Sequence, residues 1–207
     1  MRPLPRLHAV TDASVLDAPD FAIRAAAIAA AGPAVALHAR DRSGGGARLS
    51  QVTLRLLALA RPPEAAVFVN ARPDIAAATG AQGVQLSSGD LSPRDARVVF
   101  QAGWIGRSVH SPEEAAQAVE EGADFLMVGS VYPSGSHPGR PGAGLALVRQ
   151  TVGLGRPVIA IGGIDAARAA EVAEAGAYGA ASIGALWRAP DSAAAALALL
   201  EPWVRAS

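Results

Sequence analysis

Residues 104–129 read WIGRSVHSPEEAAQAVEEGADFLMVG, and the fold is decided by how this stretch is parsed. Trp104–Val109 is a short, largely apolar run of strand length. Ser111 then offers a capping hydroxyl, and Pro112 suits the first position of a helix because its missing N–H costs nothing there. Pro112–Glu121 carries an apolar stripe at helical spacing, Gly122 stops it, and Phe125–Gly129 is again continuously apolar. Strands without polar alternation are those of a parallel sheet covered on both faces. The stretch therefore predicts one strand–helix–strand unit.

The same parse repeats outward in both directions. Strands are predicted at Leu7–Thr11, Ala34–Ala39, Ala66–Asn70, Gly83–Leu86, Pro157–Ile161 and Gly179–Ile183. Helices are predicted at Phe21–Ala31, Ala47–Ala60, Asp74–Thr79, Pro93–Ala102, Leu145–Thr151, Ala166–Ala175 and Ser192–Leu199. That makes eight units of about 26 residues each. An open doubly wound sheet uses the same local code, but eight units favour closure into a single α/β domain, a (β/α)₈ TIM barrel spanning 1–207. No Pro/Gly/Ser-rich linker divides the chain. Two unusual loops, Arg40–Gly46 and Tyr132–Gly144, both follow strands and so fall at the C-terminal face, where barrels keep their sites.

Composition narrows the chemistry. The chain has no cysteine, so thiolate nucleophiles and Cys-ligated metals are excluded. All 18 basic residues are arginine, so a lysine Schiff base is excluded too. Formal net charge is zero with the arginines dispersed, which argues against a nucleic-acid surface. No apolar run approaches a membrane span, and the first residues lack the apolar core of a signal peptide; a cytoplasmic protein without membrane or nucleic-acid partners is expected. Trp187 and Trp203 fit either a subunit contact or the outer ring of the barrel, and a homodimer is expected.

The candidate site gathers at the strand ends. Of the four histidines, His8 falls within the first strand, His38 near the end of the second, His110 at the end of the fifth and His137 in the loop after the sixth. His8 reads as a core or layer residue, and His137 as either a surface or a site residue. His110, followed at once by a helix cap, is the candidate acid/base, because an imidazole with an ordinary pKa of about 6.5 suits proton relay. No HxH or HxxxH pair occurs, so no metal site is expected. Gly162-Gly163 ends the seventh strand and Ile183-Gly184 the eighth, the usual barrel position for a phosphate held by backbone N–H groups. Asn70 ends the third strand. Asp90 reads as a turn residue or a ligand, and Arg40 as a solvated arginine or an anion holder. Arg42 and Arg107 also fall near the mouth.

At these residues the chain resembles the thiamine phosphate synthase and thiazole tautomerase superfamily. The resemblance runs nearly end to end: LHAVTD at 7–12, Asn70, GVQL at 83–86 with Asp90, GRSVHS at 106–111, VGSVYP at 128–133, IAIGGI at 159–164 and SIG at 182–184. It implies a barrel binding a small phosphorylated substrate. In the synthase pattern an arginine and a lysine hold pyrophosphate where this chain has His38 and Arg40. An Asn-Asp pair, its Asp holding magnesium, stands where this chain has Asn70-Ala71. Two hydroxyls and a lysine stand where this chain has Ser134, Ser136 and His137; Asp90 is retained. Residues 106–115 are similar to the tautomerase branch, which implies His110 as the acid/base. The substrate would then contact His38, Arg40, Asn70, Asp90, Ser108, Ser134, Ser136, His137, Gly163, Ile183 and Gly184. Because magnesium and fixed cations neutralise a pyrophosphate leaving group, and this chain has lost part of that set, the sequence points to a thiazole tautomerase, an isomerase of a carboxythiazole phosphate that needs no cofactor. The alternatives are a magnesium-dependent thiamine phosphate synthase and a non-catalytic phosphate-ligand binder.

Overall fold

A computed structural model of the chain describes residues 3–134, 139 and 141–204. In chain order the elements are β1 (Leu7–Val10), α1 (Ala13–Leu16), α2 (Phe21–Ala29), β2 (Val35–Ala39), α3 (Gly46–Ala60), β3 (Ala66–Asn70), α4 (Pro73–Thr79), β4 (Gly83–Leu86) and α5 (Pro93–Val99). Then follow β5 (Trp104–Val109), α6 (Pro112–Glu120), β6 (Phe125–Gly129), α7 (Gly144–Val152), β7 (Val158–Ile161), α8 (Ala166–Glu174), β8 (Gly179–Ser182), α9 (Gly184–Trp187) and α10 (Ser192–Val204). The eight strands run parallel and close on themselves, with β8 pairing back onto β1 through Leu7↔Ala180 and Ala9↔Ser182. The chain is a single (β/α)₈ TIM barrel.

Local chemistry sets where the helices begin. The Ser111 hydroxyl accepts from the N–H of Glu114 and Pro112 follows it; Ser92 does the same for Asp95 ahead of Pro93. Asp165 caps α8 through the N–H of Arg168. Two short helices, α1 and α9, were not predicted from sequence: four residues are too few to show a 3.6-residue period. Helix α10 runs five residues past the predicted end at Leu199, through Pro202, to Val204. Packing outweighs the proline there: Trp203 is buried and its indole N–H donates to the Ala177 carbonyl. Trp187 is buried too, its ring stacked at 5.6 Å on Phe21, so both tryptophans belong to the outer ring.

Alternation along the strands splits the core in two. Leu7, Ala9, Val35, Leu37, Val67 and Val69 point outward and pack against the helices. Val10, Ala36, Phe68, Phe125, Met127, Ile159 and Ala181 point inward and fill the barrel. The inward layer has an aromatic centre: His8 and His38 lie 5.0 Å apart, with Phe68 and Phe125 against them. Gly83 and Gly106 make room for it, since a Cβ at either would collide with the ring of Phe68 or Phe125. This plug closes the barrel's lower half and leaves the space above it, at the strand C-termini, open. Among the described residues no helix is long and apolar enough to cross a membrane.

Candidate active site

Above the plug lies a cavity of about 860 Å³ at the C-terminal face. Its walls bring together Arg40 from the end of β2, Asn70 from β3, Asp90 after β4, Ser108 and His110 from the end of β5, and Ser134 after β6. Gly163 after β7 and Ile183 and Gly184 after β8 complete it. These predicted residues converge because every parallel strand delivers its last residues to the same rim. Ser136 and His137 lie outside the described residues.

His38 does not belong to this set. Its ring is fully buried inside the barrel, with Nε2 2.7 Å from Nδ1 of His8 and Nδ1 3.1 Å from the Asn70 carboxamide. It sits at an inward position of β2, below the cavity floor, so it fills the barrel where it was expected to touch substrate. Burial, outweighing a hydrogen bond to the Asn70 carboxamide oxygen and helped by the nearby charge of Arg40, brings its pKa down to about 4. His8 is lowered as well, by burial and then by His38. Arg107 lies outside the cavity walls and bonds the carbonyl of Leu91.

The cavity's charges are arranged unevenly. Arg40 is half-buried, and burial followed by the charge of Arg42 pulls its pKa below the ordinary value. Among the described residues it makes no ion pair, so its guanidinium is free for an anion. Arg42 and Arg188 line the same cavity, the latter bonded at 3.0 Å to Asp12. Burial would raise Asp12, but hydrogen bonds from Ser14, the Val15 N–H and Arg188 hold it below the usual carboxylate range. Arg188 and Asp12 escaped the sequence reading because Arg188 is placed by α9, too short to predict. A lone arginine one turn beyond the SIG motif was the available signal.

At the other end, Gly162 and Gly163 take positive φ (107° and 63°), a backbone turn that glycine adopts without strain, next to Gly184 at the start of α9. The Gly163 carbonyl accepts from Arg168 at 2.6 Å, Arg168 lies 4.7 Å over the Tyr132 ring, and the Tyr132 hydroxyl donates to Glu171. Burial and the Glu171 bond push Tyr132 up to about 12. These contacts hold in place a loop that lines the cavity with backbone, the kind of turn at which an anion can bind.

Two further side chains matter. His110 is held through Nδ1 by the Gly129 carbonyl, and its backbone N–H donates to the Glu114 carboxylate. Gln85 lies on the floor and donates to Ser108 at 3.0 Å.

A family model described as thiamine monophosphate synthase matches residues 7–186. The chain belongs to the thiamine monophosphate synthase family. A thiamine-phosphate synthase of Thermus thermophilus is 50% identical over 149 residues, 71% of this chain and 72% of its own length. That of Chromobacterium violaceum is 40% identical over 196 residues, 93% of each chain. Among solved structures, a thiamine phosphate pyrophosphorylase from Pyrococcus furiosus superposes with a TM-score of 0.82 at 32% identity, covering 97% of this chain and 96% of its own.

These relatives correct the expectation of a thiazole tautomerase, and with it that of an isomerase: the chains similar to this one at 50% and 40% identity are named as synthases. The expectation of an enzyme holds. The error has a physical source. Set against the synthase pattern, His38 and Ala71 made the pyrophosphate side look depleted, whereas the fold puts Arg40, Arg42 and Arg188 around one cavity.

Magnesium is implied for a synthase, and the donor set can be tested for it. Asp90 Oδ2 accepts from the Ser87 N–H and hydroxyl at 2.6 and 2.7 Å, which fixes the carboxylate at the rim. Among the described residues no group of three or more acidic or histidine side chains forms a metal cage. Magnesium is commonly held by one or two carboxylates together with substrate phosphates. The single carboxylate of Asp90 fits an ion that arrives with pyrophosphate.

Proposed function

We propose that this enzyme joins a pyrimidine pyrophosphate to a thiazole phosphate, forming thiamine phosphate and releasing pyrophosphate. The observation that carries this reading is that one cavity has two regions suited to anions: Arg40, which makes no ion pair among the described residues, with Arg42, and the glycine turns after β7 and β8. A substrate with one phosphate needs only one of them. Two phosphorylated substrates meeting in one reaction need both.

In the reaction the thiazole ring nitrogen attacks the methylene carbon of the pyrimidine. The new C–N bond forms as the C–O bond to pyrophosphate breaks, and the pair of electrons leaves on the pyrophosphate oxygen. The nucleophile carries a free lone pair, so no base has to remove a ring proton. His110, tied through Nδ1 to Gly129, then lines the cavity as a hydrogen-bonding group. The leaving group gathers negative charge, which Arg40 and Arg42 stabilise through charge-assisted contacts. Asp90 would hold magnesium, which supplies further charge neutralisation on the pyrophosphate. Gly163, Ile183 and Gly184 hold the thiazole phosphate through backbone N–H groups, and Ser134 offers a hydroxyl beside them.

Incubating both substrates with magnesium and following thiamine phosphate by chromatography, together with pyrophosphate release, tests the proposal. Stoichiometric formation of both products is expected. Binding of both substrates without product would overturn it.

A further inference from the structure

The buried polar chain beneath the cavity fixes a direction of hydrogen bonding that reaches the site. It starts at the carbonyl of Pro5, which only accepts. His8 Nε2 lies 3.0 Å from it and therefore carries a proton. A neutral imidazole has one N–H, so His8 Nδ1 offers a lone pair, and His38 Nε2, 2.7 Å away, must donate to it. His38 Nδ1 is then an acceptor. Its partner at 3.1 Å is the Asn70 carboxamide, placed with Oδ1 toward the ring, so that two acceptors face one another. A half-turn of the carboxamide, which leaves its outline unchanged, brings Nδ2 to His38 and satisfies every group in the chain. The same half-turn carries the oxygen to the other side, where Asn70 lines the cavity.

Neutral rings are required for this sequence of bonds, and their surroundings require neutral rings. Both histidines are fully buried among Phe68, Phe125 and each other, and among the described residues no carboxylate bonds either one. The charged group facing His38 is Arg40, whose sign opposes protonation. Burial lowers both pKa values.

We infer that His8 and His38 are positioning residues: a neutral relay from the Pro5 carbonyl that turns Asn70 so its carboxamide oxygen faces the ligand and selects an N–H donor there. The identity of that donor rests on the synthase reading, under which it is the amine of the pyrimidine. The direction of the relay does not. A carboxamide oxygen repels phosphate oxygens, so Asn70 reads the ring and leaves pyrophosphate to the arginines.

Nitrogen-15 NMR of the histidine-labelled, ligand-free protein reads the relay directly. From about pH 6 to pH 8 both His8 and His38 should show a protonated Nε2 and a bare Nδ1. In Asn70→Asp, which can only accept at that point, His38 should gain a proton on Nδ1. A wild-type His38 protonated on Nδ1 overturns the inference. A second variant reads the ligand side. Asn70→Ser should raise KM for the pyrimidine pyrophosphate about five- to tenfold while the Kd of inorganic pyrophosphate, measured by calorimetry, changes less than about twofold. A parallel loss of pyrophosphate affinity overturns the inference. A wild-type enzyme that fails to condense its substrates sinks the synthase reading, and the spectra still decide the relay.

Discussion

Replacing Arg40 by methionine removes a guanidinium while keeping a long, apolar side chain of similar reach. Arg40 is half-buried at the end of β2, and no acidic side chain pairs with it among the described residues. Its charge is therefore available to the leaving pyrophosphate. Two unit charges about 4 Å apart at an effective dielectric of about 20 interact by about 4 kcal/mol. Partial exposure and salt reduce this to about 2–3 kcal/mol. That corresponds to a loss of roughly 30- to 150-fold in kcat/KM for the pyrimidine pyrophosphate. The thiazole phosphate is held at the glycine turns, so its KM should move less than about twofold. Arg40→Lys keeps the charge without the fork and should recover most of the loss. Initial rates of thiamine phosphate formation over both substrates measure all of these. Arg40→Met with kcat/KM within threefold of the parent would refute the assignment.

Asp90→Asn should raise the magnesium concentration for half-maximal rate about tenfold, read from rate against added magnesium; an unchanged requirement removes Asp90 from the ion. Gly106→Ala forces a methyl group into the Phe125 ring and should lower stability by about 1–3 kcal/mol, or about 2–12 °C in Tm by calorimetry. Stability should also fall with acid. His38 titrates near 4 when folded and about 6.5 when unfolded, so the unfolded state binds more protons between those values, and stability is full above about pH 6.5 and lost as pH falls toward 4. By pH 5 this single group accounts for about 2 kcal/mol, and urea midpoints at pH 7.5 and 5 should separate accordingly, with a smaller separation in His38→Gln. Arg168→Ala frees the carbonyl of Gly163 and should raise KM for the thiazole phosphate severalfold while leaving the pyrophosphate contacts intact.

Strands and caps were legible because their signals are local. A continuously apolar run such as Phe125–Gly129, or Ser111-Pro112 ahead of α6, is interpretable without knowing what packs on it. The rim residues were legible for the same reason, since a strand's last residue reaches the mouth whatever its neighbours are. His38 was misread because the reading depended on which way a side chain points. It is one residue from the end of β2, and the period-two alternation that turns it inward is set by barrel closure and the register His38↔Phe68. The likeness of residues 106–115 to a proton-transferring branch carried too much weight for a similar reason. A histidine motif is visible in one segment, while Arg188, just after α9, joins Arg40 and Arg42 only once the barrel has closed.

The aromatic plug has a bearing on turnover. With His8, His38, Phe68 and Phe125 filling the barrel below, the cavity is floored by the plug and opens at the rim. Whatever binds deepest must enter first and leave last, so traffic through the mouth is a queue. Under the proposed reaction the two products share that exit, and the order in which substrates load constrains the order in which products depart.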